Sequence, residues 1–199
     1  KDLISKDPKY KDEFITDSDR EVLIHLYKEY GVDFLKKIHV NGMYAFCIYD
    51  SVKDIYIVAR DPIGIIPLYM GWGQDGSIWF GSEMKAIHES CDNYELFTPG
   101  NFYVGNLLNE NYNGKMELFY TERWFTDIDY IPTGEYVPEE FRKNMIASVR
   151  RHLMSDVPYG VLLSGGLDSS IVVSIAAREY KILGNLDVMR SFCIGLEGS

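Results

Sequence analysis

Cysteine, basic clusters and long apolar runs are all scarce in this sequence. The three cysteines, Cys47, Cys91 and Cys193, are an odd number with wide spacing, so neither a disulfide framework nor a CxxC zinc site is indicated. No apolar run reaches the roughly 18 residues that a membrane-spanning helix needs. Acidic residues outnumber basic ones by 30 to 20, and the formal net charge is −10. We therefore expect no nucleic acid and no membrane as partner, and a reduced, cytoplasmic setting.

Both ends of the chain are unusual for a complete protein. The chain starts without Met in a charged stretch over residues 1–11, which is unlike a signal peptide. It stops at residues 195–199, just past an apolar run that is typical of a strand. We expect an internal fragment of a larger protein.

The first half is predicted to combine helices with antiparallel strands. A helix over residues 18–30 would have Ser18 as its N-cap, Glu21 three residues later in a capping box, and Gly31 just past its end. A shorter helix follows over 32–37, and the hydrophobic period then changes to two. Strands are predicted over 43–49, 55–59, 66–72, 77–81 and 102–105, with a short helix over 82–88. This order indicates a meander with interspersed helices, of α+β class.

The second half is predicted to be a separate α/β domain. Loop residues at 106–114 and 126–134 place the boundary near 127–136 and give two domains, residues 1–130 and 131–199. Pro138 opens a helix with a core face of Phe141, Met145, Val149 and Leu153. A strand over 159–163, a helix over 168–180 and a strand over 191–194 then form a βαβ unit of a parallel sheet.

A glycine- and serine-rich run, SGGLDSS at 164–170, connects the first strand of this unit to its helix. The N–H groups of such a turn and of a helix N-terminus converge on one point, which predicts an anion site. The glycines permit positive φ and close approach of a ligand, and the serines add hydroxyl donors. The run has neither the spacing nor the lysine of a Walker A loop. The carboxylate of Asp168 would repel a bare phosphate. Its place in the turn is better explained if it holds Mg²⁺. The alternative is a structural glycine turn with serine caps.

Several strings of this sequence resemble those of one enzyme family. The run 164–169 is similar to the PP-loop of the ATP-pyrophosphatase superfamily, and HLMSDVPYG at 152–160 resembles the glutamine-hydrolysing asparagine synthetases, which are class II amidotransferases. NGMYAF at 41–46, RDPIGIIPLY at 60–69 and SEMKA at 82–86 are similar to their glutaminase domain. The resemblance implies an incomplete, Ntn-hydrolase-like αββα glutaminase of α+β class, followed by the start of an α/β PP-loop domain with a parallel sheet.

The resemblance also implies a reaction and its site residues. Glutamine is hydrolysed in the first domain and ammonia passes to the second, where ATP adenylates the side-chain carboxylate of aspartate and ammonia displaces AMP. Glutamine, aspartate and ATP are then the small-molecule partners. Asp19 matches the glutamine-binding aspartate, and its carboxylate suits the α-ammonium of that substrate. The residues that match the ATP site are Leu163, Ser164, Gly165, Gly166, Leu167, Asp168, Ser169, Ser170 and Ile194, with Asp168 as the Mg²⁺ ligand.

The sequence departs from the family at the catalytic centre. No nucleophilic cysteine stands at the start, where residue 1 is Lys, and Cys47 lies in a strand that is expected to be buried and inert. No catalytic residue is therefore assigned, and this chain alone is expected to be inactive. Arg60 and Asp61 match a motif that the resemblance places near the domain junction, and they are expected to form a structural ion pair there and not to act as catalysts.

Alternatives remain open at this point. One is another amidotransferase-type synthetase with a PP-loop, similar to a β-lactam synthetase, and another is a non-catalytic relative that keeps the fold for binding or scaffolding. For Asp19, the alternative is an acid at a helix start, favoured by the helix dipole. For Leu163 and Ile194, core packing is expected alongside any binding role. The sequence does not define the oligomeric state, and a homodimer is one assembly that it allows.

Overall fold

The computed structural model of the chain describes residues 14–16, 18–107, 114–155, 157–184 and 187–195. Two compact units divide between Ile131 and Pro132, and each is described by itself. Within the described residues, no helix is long and apolar enough to cross a membrane.

Two short helices come first among the described residues of the first unit. Helix α1 spans Glu21–Tyr30 and ends at Gly31, whose φ of 69° is in the left-handed region, as predicted for a glycine after a helix. A 3₁₀ turn over Gly31–Asp33 then leads into α2, Phe34–Lys37, so the helical segment predicted over 32–37 is also confirmed.

The predicted start of α1 is wrong by three residues. Arg20 occupies the N-cap position without a side-chain cap, and the Oγ of Ser18 accepts a hydrogen bond from the N–H of Arg20 at 3.3 Å. The carboxylate of Glu21 does not reach back to Ser18, because it accepts hydrogen bonds from Ile15 and Thr16 instead. The capping box is therefore absent, and Glu21 fixes the chain ahead of the helix.

The strands that the structure describes in the first unit form two antiparallel sheets. They are β1 Ala45–Asp50, β2 Ile55–Arg60, β3 Tyr69–Trp72, β4 Ile78–Gly81, β5 Asn93–Leu96, β6 Asn101–Asn106 and β7 Lys115–Leu118. The first sheet has the order β1-β2-β6-β7 and the second has the order β4-β3-β5. Ile57 of β2 lies opposite Ile48 on one side and Val104 on the other.

The predicted single meander is therefore wrong, although the α+β class and the antiparallel pairing are confirmed. The chain leaves the first sheet after β2, builds the second sheet, and returns at β6. The predicted helix over 82–88 is only a 3₁₀ turn over Met84–Ala86, and β5, β7 and a short helix α3, Arg123–Thr126, were not predicted.

Side-chain alternation gives the first sheet two buried faces. Ile57 and Phe102 pack with Phe34 and Leu35 of α2 and with residues of α1 in one apolar cluster. Val58 and Tyr103 point to the other face and pack with second-sheet residues such as Met70. These contacts give helix, sheet and sheet layers, which are three of the four layers predicted. Each fully buried large side chain contributes about 1.5–3 kcal/mol to stability.

The second unit contains the predicted strand–helix–strand arrangement. Helix α4 spans Pro138–His152 with Pro138 in its first turn. Strand β8 (Gly160–Leu162), helix α5 (Leu167–Ile182) and strand β9 (Arg190–Phe192) follow, and β8 pairs with β9 in parallel, Val161 opposite Ser191. The predicted parallel βαβ unit is confirmed.

The core of this unit is small. Val149, Leu153 and Ala176 form its buried cluster. The core face predicted for α4 is correct only at its end, because Phe141 is 58% exposed.

Candidate functional site

The turn between β8 and α5 has the backbone geometry of an anion site. Gly165 has a φ of 84°, and Gly166 is extended at the N-cap position of α5. The N–H of Leu163 donates to the carbonyl of Phe192 at 2.8 Å, which holds the end of β8 against β9. Because the first N–H groups of a helix have no intrahelical acceptor, the start of α5 presents donors beside this turn.

Serine hydroxyls close the turn onto its own backbone. The Oγ atoms of Ser169 and Ser170 donate to the carbonyl of Gly166 at 3.1 and 2.7 Å, and the Oγ of Ser164 donates to the Oγ of Ser169 at 3.0 Å. The hydroxyl protons of Ser169 and Ser170 are thus directed to a carbonyl. Backbone N–H groups are left as the main donors to a ligand.

The turn is open to a ligand on its glycine side. A Cβ built on Gly165 would meet no atom within 4 Å, and one built on Gly166 would meet only the Oγ of Ser164 at 3.7 Å. Residues 164–168 are all exposed, and Leu167 is 75% exposed. A phosphate-sized group can therefore approach the backbone directly.

Asp168 lies in the first turn of α5 with an exposed side chain. Among the described residues, no group of three or more His, Cys, Asp or Glu side chains could hold a metal ion by itself. Mg²⁺ commonly takes one or two carboxylates together with substrate phosphates. A single exposed aspartate beside a turn with the backbone geometry of an anion site fits that donor set.

Leu163 and Ile194 follow β8 and β9, two adjacent parallel strands, at the same edge of the sheet. Leu163 is half-buried, whereas Ile194 is fully exposed. The expected core packing is therefore wrong for Ile194, because no described element covers the end of β9.

Asp19, the predicted glutamine ligand, belongs to the first unit. It lies with an exposed side chain in the turn that precedes α1. The predicted helix position for it is wrong, because α1 begins at Glu21. The Glu21 carboxylate, which was expected to complete a capping box with Ser18, instead accepts the N–H groups of Ile15 and Thr16 ahead of this turn.

Arg60 and Asp61 are both buried but are not paired with each other among the described residues. The guanidinium of Arg60 donates to the carbonyls of Gly64, Ile66 and Phe97 at 2.7–2.8 Å. The predicted ion pair is wrong, because each side chain is satisfied by backbone groups. Their structural role is to fix the loop after β2.

Asp61 organises that loop through its carboxylate. Its oxygens accept the N–H groups of residues 63, 64, 65 and 66 at 2.7–3.1 Å. Its side chain is 1% exposed, so these bonds replace its hydration.

Cys47 was expected on a buried strand face, and this expectation is wrong. Its side chain is exposed in a cleft of about 990 Å³ between the two sheets, whose walls include Tyr56, Trp72 and Tyr103. Partial burial by these walls raises the pKa of the Cys47 thiol. A raised pKa lowers the thiolate fraction, so the expectation of an unreactive thiol stays a prediction on a different physical ground.

These features define the class of the chain: a layered α+β unit with two antiparallel sheets, followed by a parallel βαβ unit with an open glycine- and serine-rich turn between its first strand and its helix. Sequence comparison gives the family. Residues 2–148 match the family described as "Glutamine amidotransferase domain", and the chain belongs to this family. Residues 140–199 match the family described as "Asparagine synthase".

Curated relatives match nearly the whole of this chain. The chain is 44% identical over 192 residues to "Asparagine synthetase [glutamine-hydrolyzing] 1" of Arabidopsis thaliana and 45% identical over 193 residues to "Asparagine synthetase [glutamine-hydrolyzing]" of Zea mays. Each alignment covers 94% of this chain and 31% of the relative. The chain therefore spans about a third of the length of these relatives.

Among solved structures, the chain is similar to a glutamine phosphoribosylpyrophosphate amidotransferase of B. subtilis. The two are 26% identical with a TM-score of 0.46, over 82% of this chain and 38% of that one.

Proposed function

We propose that this chain is part of a glutamine-hydrolysing asparagine synthetase, with the end of the glutaminase domain up to about residue 130 and the start of the ATP-binding domain after it. The observation that carries the proposal is that the open turn at 164–170 lies in the segment similar to asparagine synthases, directly after an amidotransferase domain. The parent reaction converts aspartate, ATP, glutamine and water to asparagine, AMP, pyrophosphate and glutamate.

On the amidotransferase side, Asp19 binds glutamine. Its exposed carboxylate can accept charge-assisted hydrogen bonds from the α-ammonium of the substrate, and these are stronger than bonds between neutral groups. The resemblance of the surrounding sequence to glutaminase domains supports this role.

On the synthetase side, the turn at 164–170 binds the phosphates that leave as pyrophosphate, and Leu163 and Ile194 flank the nucleotide. The open space over Gly165 and the free N–H groups at the start of α5 support this role. A side-chain carboxylate oxygen of aspartate attacks the α-phosphorus of ATP, and the bond to pyrophosphate breaks. Ammonia then attacks the acyl carbon and AMP leaves.

Asp168 is the residue of this chain that would hold Mg²⁺. A bound Mg²⁺ would neutralise charge on the phosphates of ATP and so reduce their repulsion from this carboxylate. We place the reaction in the cytoplasm, because the three cysteines are free thiols, as is common in a reducing compartment.

The proposal is tested by pyrophosphate release in the whole enzyme that contains this chain. We expect release that requires aspartate, and we expect Asp168→Asn to lower it by at least about ten-fold. Asp187→Asn is the matched control, since Asp187 is an exposed aspartate of the same unit. Release with another carboxylate but not with aspartate would show a synthetase of the β-lactam type. No release with any carboxylate would show a non-catalytic relative.

A further inference from the structure

We propose that Glu21 is a positioning residue for Asp19. Its carboxylate ties the chain ahead of α1 to the helix and thereby fixes the turn that carries Asp19. The inference rests on the proposed function, because it requires that Asp19 binds glutamine.

Three hydrogen bonds from Ile15 and Thr16, both within the described part of the chain, converge on this one carboxylate. Its Oε1 accepts the N–H of Ile15 at 2.7 Å, and its Oε2 accepts both the N–H of Thr16 at 2.8 Å and the Oγ–H of Thr16 at 2.6 Å. The Glu21 side chain is only 15% exposed. Hydrogen bonds to an ionised group at these lengths are among the stronger bonds of a protein.

The span of these contacts distinguishes them from helix capping. A capping-box glutamate bonds to the residue three positions before it. Here the carboxylate reaches Thr16 and Ile15, five and six positions before it. The backbone is therefore fixed on both sides of the turn, at Thr16 and at the first residue of α1, and Asp19 lies between these two points with its side chain exposed.

One aromatic ring lies next to the carboxylate, and a second ring packs on the first. The Nε2 of His25, one helical turn along α1, lies 3.8 Å from the Oε1 of Glu21. The ring of Phe14 packs on the ring of His25 with 4.5 Å between centroids. The segment ahead of the helix is thus attached to α1 by packing as well as by hydrogen bonds. A charge-assisted bond to a substrate depends on direction, so a fixed turn favours productive binding.

The experiment separates positioning from general stability. In the whole enzyme that contains this chain, asparagine synthesis is measured with glutamine and, separately, with ammonium salt as nitrogen donor. We expect Glu21→Gln to raise KM for glutamine by about ten-fold, because the loss of a charged acceptor loosens the turn, and to leave ammonia-dependent synthesis within about two-fold. Glu29→Gln removes the same charge from an exposed position of α1 and is the matched control.

A second pair of variants perturbs the same contact from the other side. Thr16→Val removes the hydroxyl donor to Glu21 and is expected to raise KM for glutamine. Thr16→Ser keeps the hydroxyl donor and is expected to leave KM for glutamine at the value of the unmodified enzyme. In the chain itself, Glu21→Gln is expected to speed hydrogen exchange at the amides of Ile15 and Thr16.

The outcomes of these experiments distinguish failure of the positioning role from failure of the proposed function. An unchanged KM for glutamine in Glu21→Gln, with a raised KM in Asp19→Asn, overturns the positioning role and leaves the proposed function intact. Equal losses with glutamine and ammonia show a merely structural role and also overturn it. If Asp19→Asn leaves glutamine use unchanged, the assignment of Asp19 fails, and the positioning role fails with it.

Discussion

Two substitutions of Asp61 are expected to lower the stability of the chain by different amounts. Its Oδ1 accepts the N–H groups of Ile63, Gly64 and Ile65 at 2.7–3.1 Å, and its Oδ2 accepts that of Ile66 at 3.1 Å. Asp61→Ala removes both acceptor oxygens and all four of these hydrogen bonds. Asp61→Asn, with its amide oxygen in place of Oδ1, removes only the bond to Ile66.

The expected magnitudes follow from this count. The N–H of Gly64 keeps a second acceptor, the backbone carbonyl of Asp61 at 3.1 Å, so three N–H groups lose their acceptor in Asp61→Ala. At about 1 kcal/mol for each of them, Asp61→Ala lowers the free energy of unfolding by about 3 kcal/mol and Asp61→Asn by about 1 kcal/mol. The larger value is a substantial part of the 5–15 kcal/mol that is typical of a folded protein.

Urea unfolding of the chain, followed by far-ultraviolet circular dichroism, measures both values. Asp129→Asn, at an exposed position, is the control and should change the free energy by less than about 0.5 kcal/mol. The slope of the free energy with urea should stay constant. Equal losses for the Asn and Ala variants, or an Ala variant no less stable than the control, would refute the reasoning.

Two further predictions concern the turn at 164–170 and the apolar cluster that α1 forms with the first sheet. Gly165 has a φ of 84° and open space around it, so Gly165→Ala is expected to cost about 1 kcal/mol in backbone strain. The same variant is expected to weaken ATP binding of the whole enzyme in a calorimetric titration. The control is Gly76→Ala, at a φ of 81° with equal space, which should cost the same stability and leave ATP binding unchanged. Burial, and then the hydrogen bond to Asp50 at 2.6 Å, raise the pKa of Tyr27 to about 12. Because this pKa is above the ordinary 10 of tyrosine, its stabilising contribution is full below pH 10 and is lost as the pH rises through about 12. Asp50→Asn should lower the pKa of Tyr27 only part of the way to 10 in a ¹³C NMR titration of the ring, and a full return to 10 would contradict burial as the larger cause.

The sequence predicted those elements whose signals are local. Apolar periodicity and flanking glycine or proline identified α1, α4 and α5, and the βαβ order followed from their spacing. Strands β5 and β7 were missed because each has only four residues. Strand β5 is exposed throughout and β7 is at most half-buried, so they carry little alternation. The division into two sheets depends on the pairing of β2 with β6, which lie more than 40 residues apart along the chain, and no local pattern encodes it.

In the candidate site, too, features with local sequence signals were predicted and features that depend on long-range contacts were not. The turn at 164–170 was predicted because glycine, serine and a following helix are adjacent in sequence. The contacts of Arg60 and Asp61 were not, because their partners are backbone groups whose positions depend on the path of a loop. Adjacent opposite charges suggested an ion pair, whereas burial among unpaired carbonyls and N–H groups favoured two separate sets of bonds.

The fate of oxygen atoms in the reaction tests the central claim most directly. The whole enzyme that contains this chain is supplied with ATP, glutamine and aspartate labelled with ¹⁸O in its side-chain carboxylate, and the released AMP is examined by mass spectrometry. Adenylation of that carboxylate predicts one ¹⁸O atom in each AMP that accompanies asparagine. Asparagine formed with unlabelled AMP would contradict the account.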